Sequence, residues 1–266
     1  MTRVALVTGA SSGIGLATAE LLRGHGYRLV LVARSEERLR EVAGQLDALA
    51  LPADVGDVAA LPDLVGAVIA EFGALDVLVN NAGVHHRGSM LRHSPEQLAE
   101  MIMVNTAAPI ALTRVAADVM EPGSVVVTVA SLAGKLPLAG AATYSGSKAG
   151  VRFWAMAAAE DLAGRGIRVA TVNPGPVDTG FLDEDLENVT AMTFSQPMST
   201  VERVAQAVLE AIEADESPME IDVPFASGKL ATLGYVSPPL RRLLRPALEK
   251  RGAKVKAEFL RRKGLG

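Results

Sequence analysis

A tyrosine and a lysine four positions apart, Tyr144 and Lys148, are the residues of this 266-residue chain whose types and spacing most directly suggest chemistry. Residues at i and i+4 share one face of a helix, so both side chains can reach one site. A free tyrosine has a pKa of about 10, which a nearby ammonium group lowers by favouring the phenolate. The pair can therefore act as a general acid toward a carbonyl oxygen or a general base toward an alcohol. A surface helix that happens to carry both residues is the alternative.

Two further polar residues are expected near this pair. Ser131 follows the apolar run 124–129, and a serine at the carboxyl end of a strand projects into the crevice where α/β sheets bind ligands. Its hydroxyl can orient a substrate oxygen and share the charge that develops there. Asn105 lies in the apolar helical segment 101–105, where the alternative role is to cap backbone groups. We interpret Asn105, Ser131, Tyr144 and Lys148 as the catalytic set.

A glycine-rich segment, residues 8–15 (TGASSGIG), joins the first apolar run to a helical pattern. Its glycines allow a tight turn, close approach of the backbone to a pyrophosphate and close packing of the helix. The amino terminus of that helix would present free N–H groups and the positive end of its dipole to phosphates. A tight strand-to-helix turn is the alternative. The expected cofactor contacts here are Gly9, Ser11, Ser12, Gly13, Ile14 and Gly15.

The end of the second apolar run indicates which nucleotide is bound. Residues 32–35 (VARS) include no carboxylate that could bind the ribose 2′-hydroxyl of NAD(H), and Arg34 is placed to receive a 2′-phosphate. We therefore predict NADP(H) in preference to NAD(H), with a solvated arginine as the alternative. The remaining expected cofactor contacts are Asp54, Val55, Asn81, Ala82, Gly83, Tyr144, Lys148, Pro174, Gly175, Val177 and Thr179.

The elements that must position these residues alternate between short apolar runs and longer helical patterns. Runs typical of strands buried on both faces lie at 4–7, 28–32, 77–79, 124–129 and 168–172. Helical patterns lie at 15–23, 36–46, 61–72, 95–119, 144–163 and about 201–214, and a last strand is expected at 220–223. This alternation predicts an α/β fold, a Rossmann-like doubly wound parallel sheet with helices on both faces.

Composition narrows the class of protein. Apolar residues make up 49 % of the chain and charged residues 21 %, which is typical of a globular protein. The net charge of −4 predicts no nucleic-acid partner, and the absence of cysteine excludes disulfides and thiolate metal sites. His85, His86 and His93 are interpreted as a polar loop, with no metal expected. The first predicted strand begins within the first few residues, so we expect no secretory signal. The sequence has no window of about 18 uninterrupted apolar residues, so we expect no membrane-spanning helix. A cytoplasmic location follows as an expectation.

Together these motifs resemble the short-chain dehydrogenase/reductase family in its compact, single-domain branch. The matching features follow one another in the order of the family over residues 1 to about 215. They are Thr8-Gly9-x-x-x-Gly13-x-Gly15, Asn80-Asn81-Ala82-Gly83, Asn105, Ser131, Tyr144-x-x-x-Lys148 and Asn173-Pro174-Gly175. Each motif is weak alone, and their combination is highly specific.

The resemblance implies roles for these residues. Tyr144 would exchange the proton, Lys148 would lower its pKa and hold the nicotinamide ribose, Ser131 would hold the carbonyl, and Asn105 would position a water. Many NADP(H)-binding members carry a second basic residue where this chain has Ser12, so Arg34 would act largely alone. The implied protein is an NADP(H)-dependent oxidoreductase acting on a small-molecule carbonyl or secondary alcohol. A non-catalytic NADP(H) sensor is the alternative, and an isomerase or dehydratase is a third possibility on this scaffold.

By the same resemblance the substrate loop follows Thr179. It comprises Phe181–Leu186 and continues through Met192, Phe194 and Met198. Methionine and phenylalanine around a cleft suit a lipophilic ligand. The alternative is a lid whose apolar residues only pack against the domain. Family members are commonly dimers or tetramers, so a homodimer or homotetramer is implied, paired through the helices that hold Asn105 and Tyr144.

The carboxyl-terminal tail differs in charge from the rest of the chain. We predict a domain over residues 1–224 and an extension over 225–266 with eleven basic and two acidic residues. Three interpretations stay open: a solvated helical cap, a subunit contact, and a helix on a membrane surface. The third rests on apolar residues at helical spacing among arginines, namely Leu240, Leu243, Leu244, Ala247 and Leu248.

Overall fold

The computed structural model describes residues 2–180, 186–217 and 219–264. Within these segments one parallel sheet has the order β3-β2-β1-β4-β5-β6-β7. Its strands are β1 (Val4–Thr8), β2 (Arg28–Ala33), β3 (Leu49–Pro52), β4 (Val77–Asn80), β5 (Val125–Val129), β6 (Arg168–Pro174) and β7 (Met219–Val223). The helices are α1 (Gly13–Gly24), α2 (Glu36–Leu46), α3 (Leu61–Phe72), α4 (Pro95–Ile102), α5 (Ala108–Ala117), α6 (Ala142–Ala163), α7 (Val201–Glu213), α8 (Phe225–Val236) and α9 (Pro238–Arg262).

The strands are apolar on both faces because helices cover the sheet on both sides. Successive side chains of a strand point to opposite faces. In β1, Ala5 and Val7 join a core with residues of α1, α2 and α7. Val4 and Leu6 join a second core with residues of α3 and α5. The predicted doubly wound α/β fold is therefore confirmed.

The predicted helix over residues 95–119 has an internal change of pitch. It begins as α4, passes through a π-helical segment (Met103–Ala107) and continues as α5. Asn105 lies in that segment and is 1 % exposed. Single π-helical turns within α-helices often occur at functional sites. Apolar periodicity continues through the change of pitch, so the pattern alone could not reveal it.

The basic tail forms α8 and α9, and α9 docks on the short helical segment Ala191–Ser195. Phe259 of α9 is 1 % exposed, and its ring centroid lies 5.5 Å from that of Phe194. A Cβ atom at Gly252 would lie 1.9 Å from the carbonyl oxygen of Ala191, so only glycine permits this approach. The described part of the tail thus packs as a helical cap. None of the described helices is both long and apolar enough to cross a membrane.

Candidate active site

A cavity of about 810 Å³ opens at the carboxyl ends of β1 and β4. The strand order reverses between these two neighbours, and open α/β sheets bind their ligands at such a point. The cavity extends from Arg34 and Asp54 at one end to Ser131 and Tyr144 at the other. One continuous cleft therefore joins the glycine-rich segment to the residues expected to do chemistry.

The glycine-rich segment forms a cradle between β1 and α1. Gly9 has a φ of +66°, and a Cβ there would lie 2.9 Å from the Cα of Ala82. The hydroxyl of Thr8 accepts hydrogen bonds from the backbone N–H groups of Asn81 and Ala82, each at 3.0 Å. Gly15 does not line the cavity, but a Cβ there would lie 2.2 Å from the carbonyl oxygen of Gly9. The cradle brings backbone N–H groups and the amino terminus of α1 to the cleft, as a pyrophosphate requires.

Arg34 lies at the far end of the cleft with a carboxylate beside it. Its side chain is 60 % exposed, and its Nη1 is 3.5 Å from Oε1 of Glu100 on α4. The other oxygen of Glu100 is 2.7 Å from Nε2 of His86. Both Arg34 and Glu100 line the cavity. The arginine is thus available to an anionic group, which would compete with Glu100 for it.

Tyr144 and Lys148 face the same cleft from the first turns of α6, as their spacing predicts. Burial raises the pKa of Tyr144, whereas a hydrogen bond with Ser131 and the positive charge of Arg87 act to lower it. Neither opposing group is Lys148, to which the sequence assigned this effect. The lysine Nζ donates to the carbonyl oxygen of Val129 at 3.0 Å, and burial lowers its pKa to about 8.

His85 and Arg87 bring an unexpected pair of side chains to the tyrosine. The rings of His85 and Tyr144 are stacked, with centroids 3.9 Å apart and an angle of 10° between planes. Nη1 of Arg87 lies 3.2 Å from Nδ1 of His85. Burial is the largest cause that lowers the pKa of His85, to about 3, so the ring is neutral at physiological pH. The histidine therefore acts on Tyr144 by contact, and the arginine acts by charge.

Asn105 connects the nucleotide end of the cleft to α6. Its Oδ1 accepts from the N–H of Val84 at 2.8 Å, and its Nδ2 donates to the carbonyl oxygen of Val84 and to Oγ of Ser147. A Cβ at Gly83 would lie 3.1 Å from Oδ1 of Asn105 and 3.5 Å from Nζ of Lys148. The side chain therefore caps backbone groups, as its simpler interpretation held, and does so directly behind the lysine.

A buried ionic cluster supports the wall that carries Ser131. Lys135, whose side chain is 6 % exposed, has its Nζ 2.7 Å from Oδ1 of Asp222 and 3.2 Å from Oε1 of Glu220. Asn173 donates to both carboxylates, and Arg152 of α6 pairs with Glu220. The cluster ties the turn after β5 to β6, β7 and α6. Ser131 itself donates to the carbonyl oxygen of Pro174 at 3.3 Å.

The structure brings almost all of the expected site residues to one cleft. The exceptions are Gly15 and Asn105, which lie directly behind its wall. The lining residues that were expected are Gly9, Ser11, Ser12, Gly13, Ile14, Arg34, Asp54, Val55, Asn81, Ala82, Gly83, Ser131, Tyr144, Lys148, Pro174, Gly175, Val177 and Thr179. Three further lining residues were not predicted as part of the site: His85, Arg87 and Glu100. The position of His85 and Arg87 directly after the Asn-Asn-Ala-Gly motif was the available signal.

The substrate loop is only partly described. Phe181–Asp185 lie outside the described residues. Met192 lines the cleft, as expected for a lipophilic site. Phe194 does not, because it packs against Phe259, and Met198 joins the same apolar cluster. For Phe194 the interpretation as a substrate contact is therefore wrong, and packing against the domain explains it.

The sheet order, the glycine cradle at the reversal point and the continuous cleft define a Rossmann-type nucleotide-binding fold. The short chain dehydrogenase family model matches residues 3–190, so the chain belongs to the short-chain dehydrogenase/reductase family.

Individual relatives agree with this assignment. The ketoacyl reductase HetN of Nostoc sp. is 34 % identical over 218 residues, which cover 79 % of this chain and 75 % of HetN. A short-chain dehydrogenase from Burkholderia cenocepacia in complex with NADP has a TM-score of 0.76 at 31 % identity, covering 83 % of this chain and 95 % of its own. A 3-ketoacyl-(acyl-carrier-protein) reductase from Brucella melitensis complexed with NADH has a TM-score of 0.76 at 28 % identity, covering 83 % and 96 %.

Proposed function

We propose that this protein is an NADP(H)-dependent oxidoreductase that transfers a hydride between the nicotinamide and a lipophilic carbonyl or secondary alcohol. One observation carries the proposal. Tyr144, hydrogen-bonded with Ser131, lines the same cleft as the glycine cradle. A nucleotide site and an acid–base group thus share one cavity. Relatives with bound NADP or NADH support a nicotinamide cofactor.

The cradle at Gly9 and the first turn of α1 would hold the pyrophosphate. Arg34 would hold the 2′-phosphate of NADP(H), and Asp54 and Val55 would flank the adenine. Lys148 would hold the nicotinamide ribose. When bound, the cofactor supplies or accepts the hydride. The preference for NADP(H) rests on Arg34, and Glu100 limits it by competing for the guanidinium group.

The side chains of the cleft donate the proton to the substrate oxygen or remove it. In reduction, Tyr144 gives its hydroxyl proton to the substrate oxygen, which Ser131 orients. The phenolate that remains is stabilised by its hydrogen bond with Ser131 and by the positive charge of Arg87. Asn105 fixes the backbone of Val84 and the hydroxyl of Ser147, which donates to the carbonyl oxygen of Tyr144 at 2.8 Å. In oxidation, the phenolate removes the proton from the alcohol.

The direct test replaces the acid–base hydroxyl. We expect Tyr144→Phe to bind NADPH as the wild type does and to reduce ketones at least about 100-fold more slowly, which is the usual contribution of a general acid. Tyr235→Phe is the matched control, because Tyr235 is 58 % exposed on α8 and lies outside the cleft. NADPH binding without turnover of any carbonyl would indicate the sensor. Turnover without net change in NADPH would indicate an isomerase.

We further propose a homodimer or homotetramer in the cytoplasm. Exposed apolar side chains lie on the helices expected to pair, with Ile102 and Met103 at the end of α4 and Phe153 and Met156 on α6. Light scattering at several protein concentrations tests the assembly. A monomer at all of them would contradict it.

A further inference from the structure

We propose that a second cavity, beside the cleft, holds a long unbranched apolar tail of the carbonyl substrate. This inference rests on the proposed function, because it places the substrate oxygen at Tyr144. The cavity has a volume of about 660 Å³. It lies between two segments of the domain, residues 136–140 and 190–196, and the two helices of the tail, α8 and α9. We call it the tail chamber.

The tail chamber adjoins the cleft. Among the described residues, four line both cavities and therefore lie between them: Leu136, Leu138, Met192 and Gln196. Three of them are flexible apolar side chains that can yield to a ligand. An alkyl chain attached to a carbonyl at Tyr144 can thus pass between them into the tail chamber.

The lining of the tail chamber favours an aliphatic chain over a polar group. Five leucines from α8 and α9 lie on its far wall. They are Leu230, Leu233, Leu240, Leu244 and Leu248. Arg241, Arg245 and Glu249 also lie there, and Nε of Arg245 is 2.8 Å from Oε1 of Glu249, which balances the charge of that arginine. Burying methylene groups against such a surface is favourable, and a volume of this size is usual for small-molecule sites.

The far wall of the tail chamber is formed by residues beyond the family match, which ends at residue 190. Its far wall is held in place by specific contacts of α9. Nζ of Lys256 donates to the carbonyl oxygens of Glu187 and Val189, at 2.8 and 2.7 Å. Gly252 and Phe259 lock the same helix against the segment 191–195. The tail chamber is therefore formed before any substrate enters.

The experiment compares 2-alkanones of increasing length, from 2-butanone to 2-undecanone, with NADPH. In the wild type we expect kcat/KM to rise about fourfold per added methylene, the fold-change that corresponds to about 0.8 kcal/mol per buried methylene. Ala231→Phe fills the tail chamber from α8, where Ala231 is 2 % exposed, and should abolish this dependence while leaving 2-butanone reduction unchanged. Ala226→Phe is the control, since Ala226 is exposed on the same helix and outside the lining.

A second variant keeps the test valid if Ala231→Phe does not fold. Gly234→Leu also fills the tail chamber, and its Cβ would lie 3.4 Å from Cδ1 of Leu136, an ordinary contact. Flat chain-length dependence in the wild type, with short alkanones still reduced, overturns the inference and leaves the proposed function intact. If no alkanone is reduced, the proposed function fails. The binding of 2-decanol, measured by thermal shift, then tests the tail chamber separately. Binding to the wild type and Ala226→Phe alone supports the tail chamber, and equal or absent binding in every variant overturns it.

Discussion

The imidazole ring of His85 lies flat against the phenol ring of Tyr144, with centroids 3.9 Å apart. Because burial holds the pKa of His85 at about 3, the ring is neutral and contributes contact area. We therefore predict that His85→Phe keeps most of the activity and that His85→Ala lowers kcat by about 2- to 12-fold, since stacked rings contribute roughly 0.5–1.5 kcal/mol. The measurement is kcat and KM for ketone reduction across roughly pH 5 to 10, a range that includes the ordinary pKa values of histidine and tyrosine. A shifted pH profile in His85→Phe would show that the imidazole titrates.

Arg87 is expected to set the pH dependence of the reaction. Its charge acts to lower the pKa of Tyr144, so Arg87→Met should raise that pKa. Alcohol oxidation requires the phenolate, and its activity should therefore rise at a correspondingly higher pH. Arg92→Met is the control, because Arg92 belongs to the same loop and pairs with Asn188 outside the cleft. Identical profiles for Arg87→Met and the wild type would refute this role.

Lys148 should destabilise the fold at neutral pH. Burial lowers its pKa from 10.5 to about 8. Between these two pH values the unfolded chain binds more protons than the folded chain, so the free energy of unfolding increases as pH rises. Below pH 8 the penalty is fully present. We expect Lys148→Met to be about 1–3 kcal/mol more stable than the wild type at pH 7. Urea denaturation should show the difference shrinking toward pH 10. A Lys148→Met variant less stable at pH 7 would contradict this expectation.

Lys135 should be important for stability without touching the reacting atoms. Lys135→Met removes the ammonium group beside Asp222 and leaves Glu220 with Arg152 alone, and removal of one partner of a buried ion pair costs about 3–5 kcal/mol. Arg23→Met removes an ion pair with Asp47, whose side chain is 90 % exposed, and should cost at most about 1 kcal/mol. Urea denaturation of both variants tests the contrast. Equal losses would mean that the cluster has no special role.

The preference for NADP(H) should depend on both partners of the Arg34–Glu100 pair. Arg34→Ala is expected to remove most of the preference, and Glu100→Gln to increase it, because the amide no longer competes for the guanidinium group. Fluorescence titration with NADPH and NADH gives both ratios. Arg38→Ala is a suitable control, since Arg38 is exposed on α2 and pairs with Glu41. An unchanged ratio in Arg34→Ala would remove the basis for NADP(H).

Local patterns were enough to predict six of the seven described strands and most of the cleft, whereas β3 was missed. The glycine-rich segment follows β1 and Ser131 follows β5, so strand positions alone place them at one edge. Contacts between distant segments could not be predicted in this way. Glu100 pairs with Arg34, which lies 66 residues earlier in the sequence. The ring of Phe194 packs against that of Phe259 in the tail. The tail chamber likewise exists only where α8 and α9 close over the domain.

Direct detection of hydride transfer tests the proposed oxidoreductase activity. NADPH deuterated on the transferring face of the nicotinamide C4 is incubated with 2-decanone, and the alcohol is analysed by mass spectrometry. We expect deuterium at the carbinol carbon with the wild type and Tyr235→Phe, and almost none with Tyr144→Phe. Tight NADPH binding with no labelled alcohol from any carbonyl tested would contradict the assignment as an oxidoreductase.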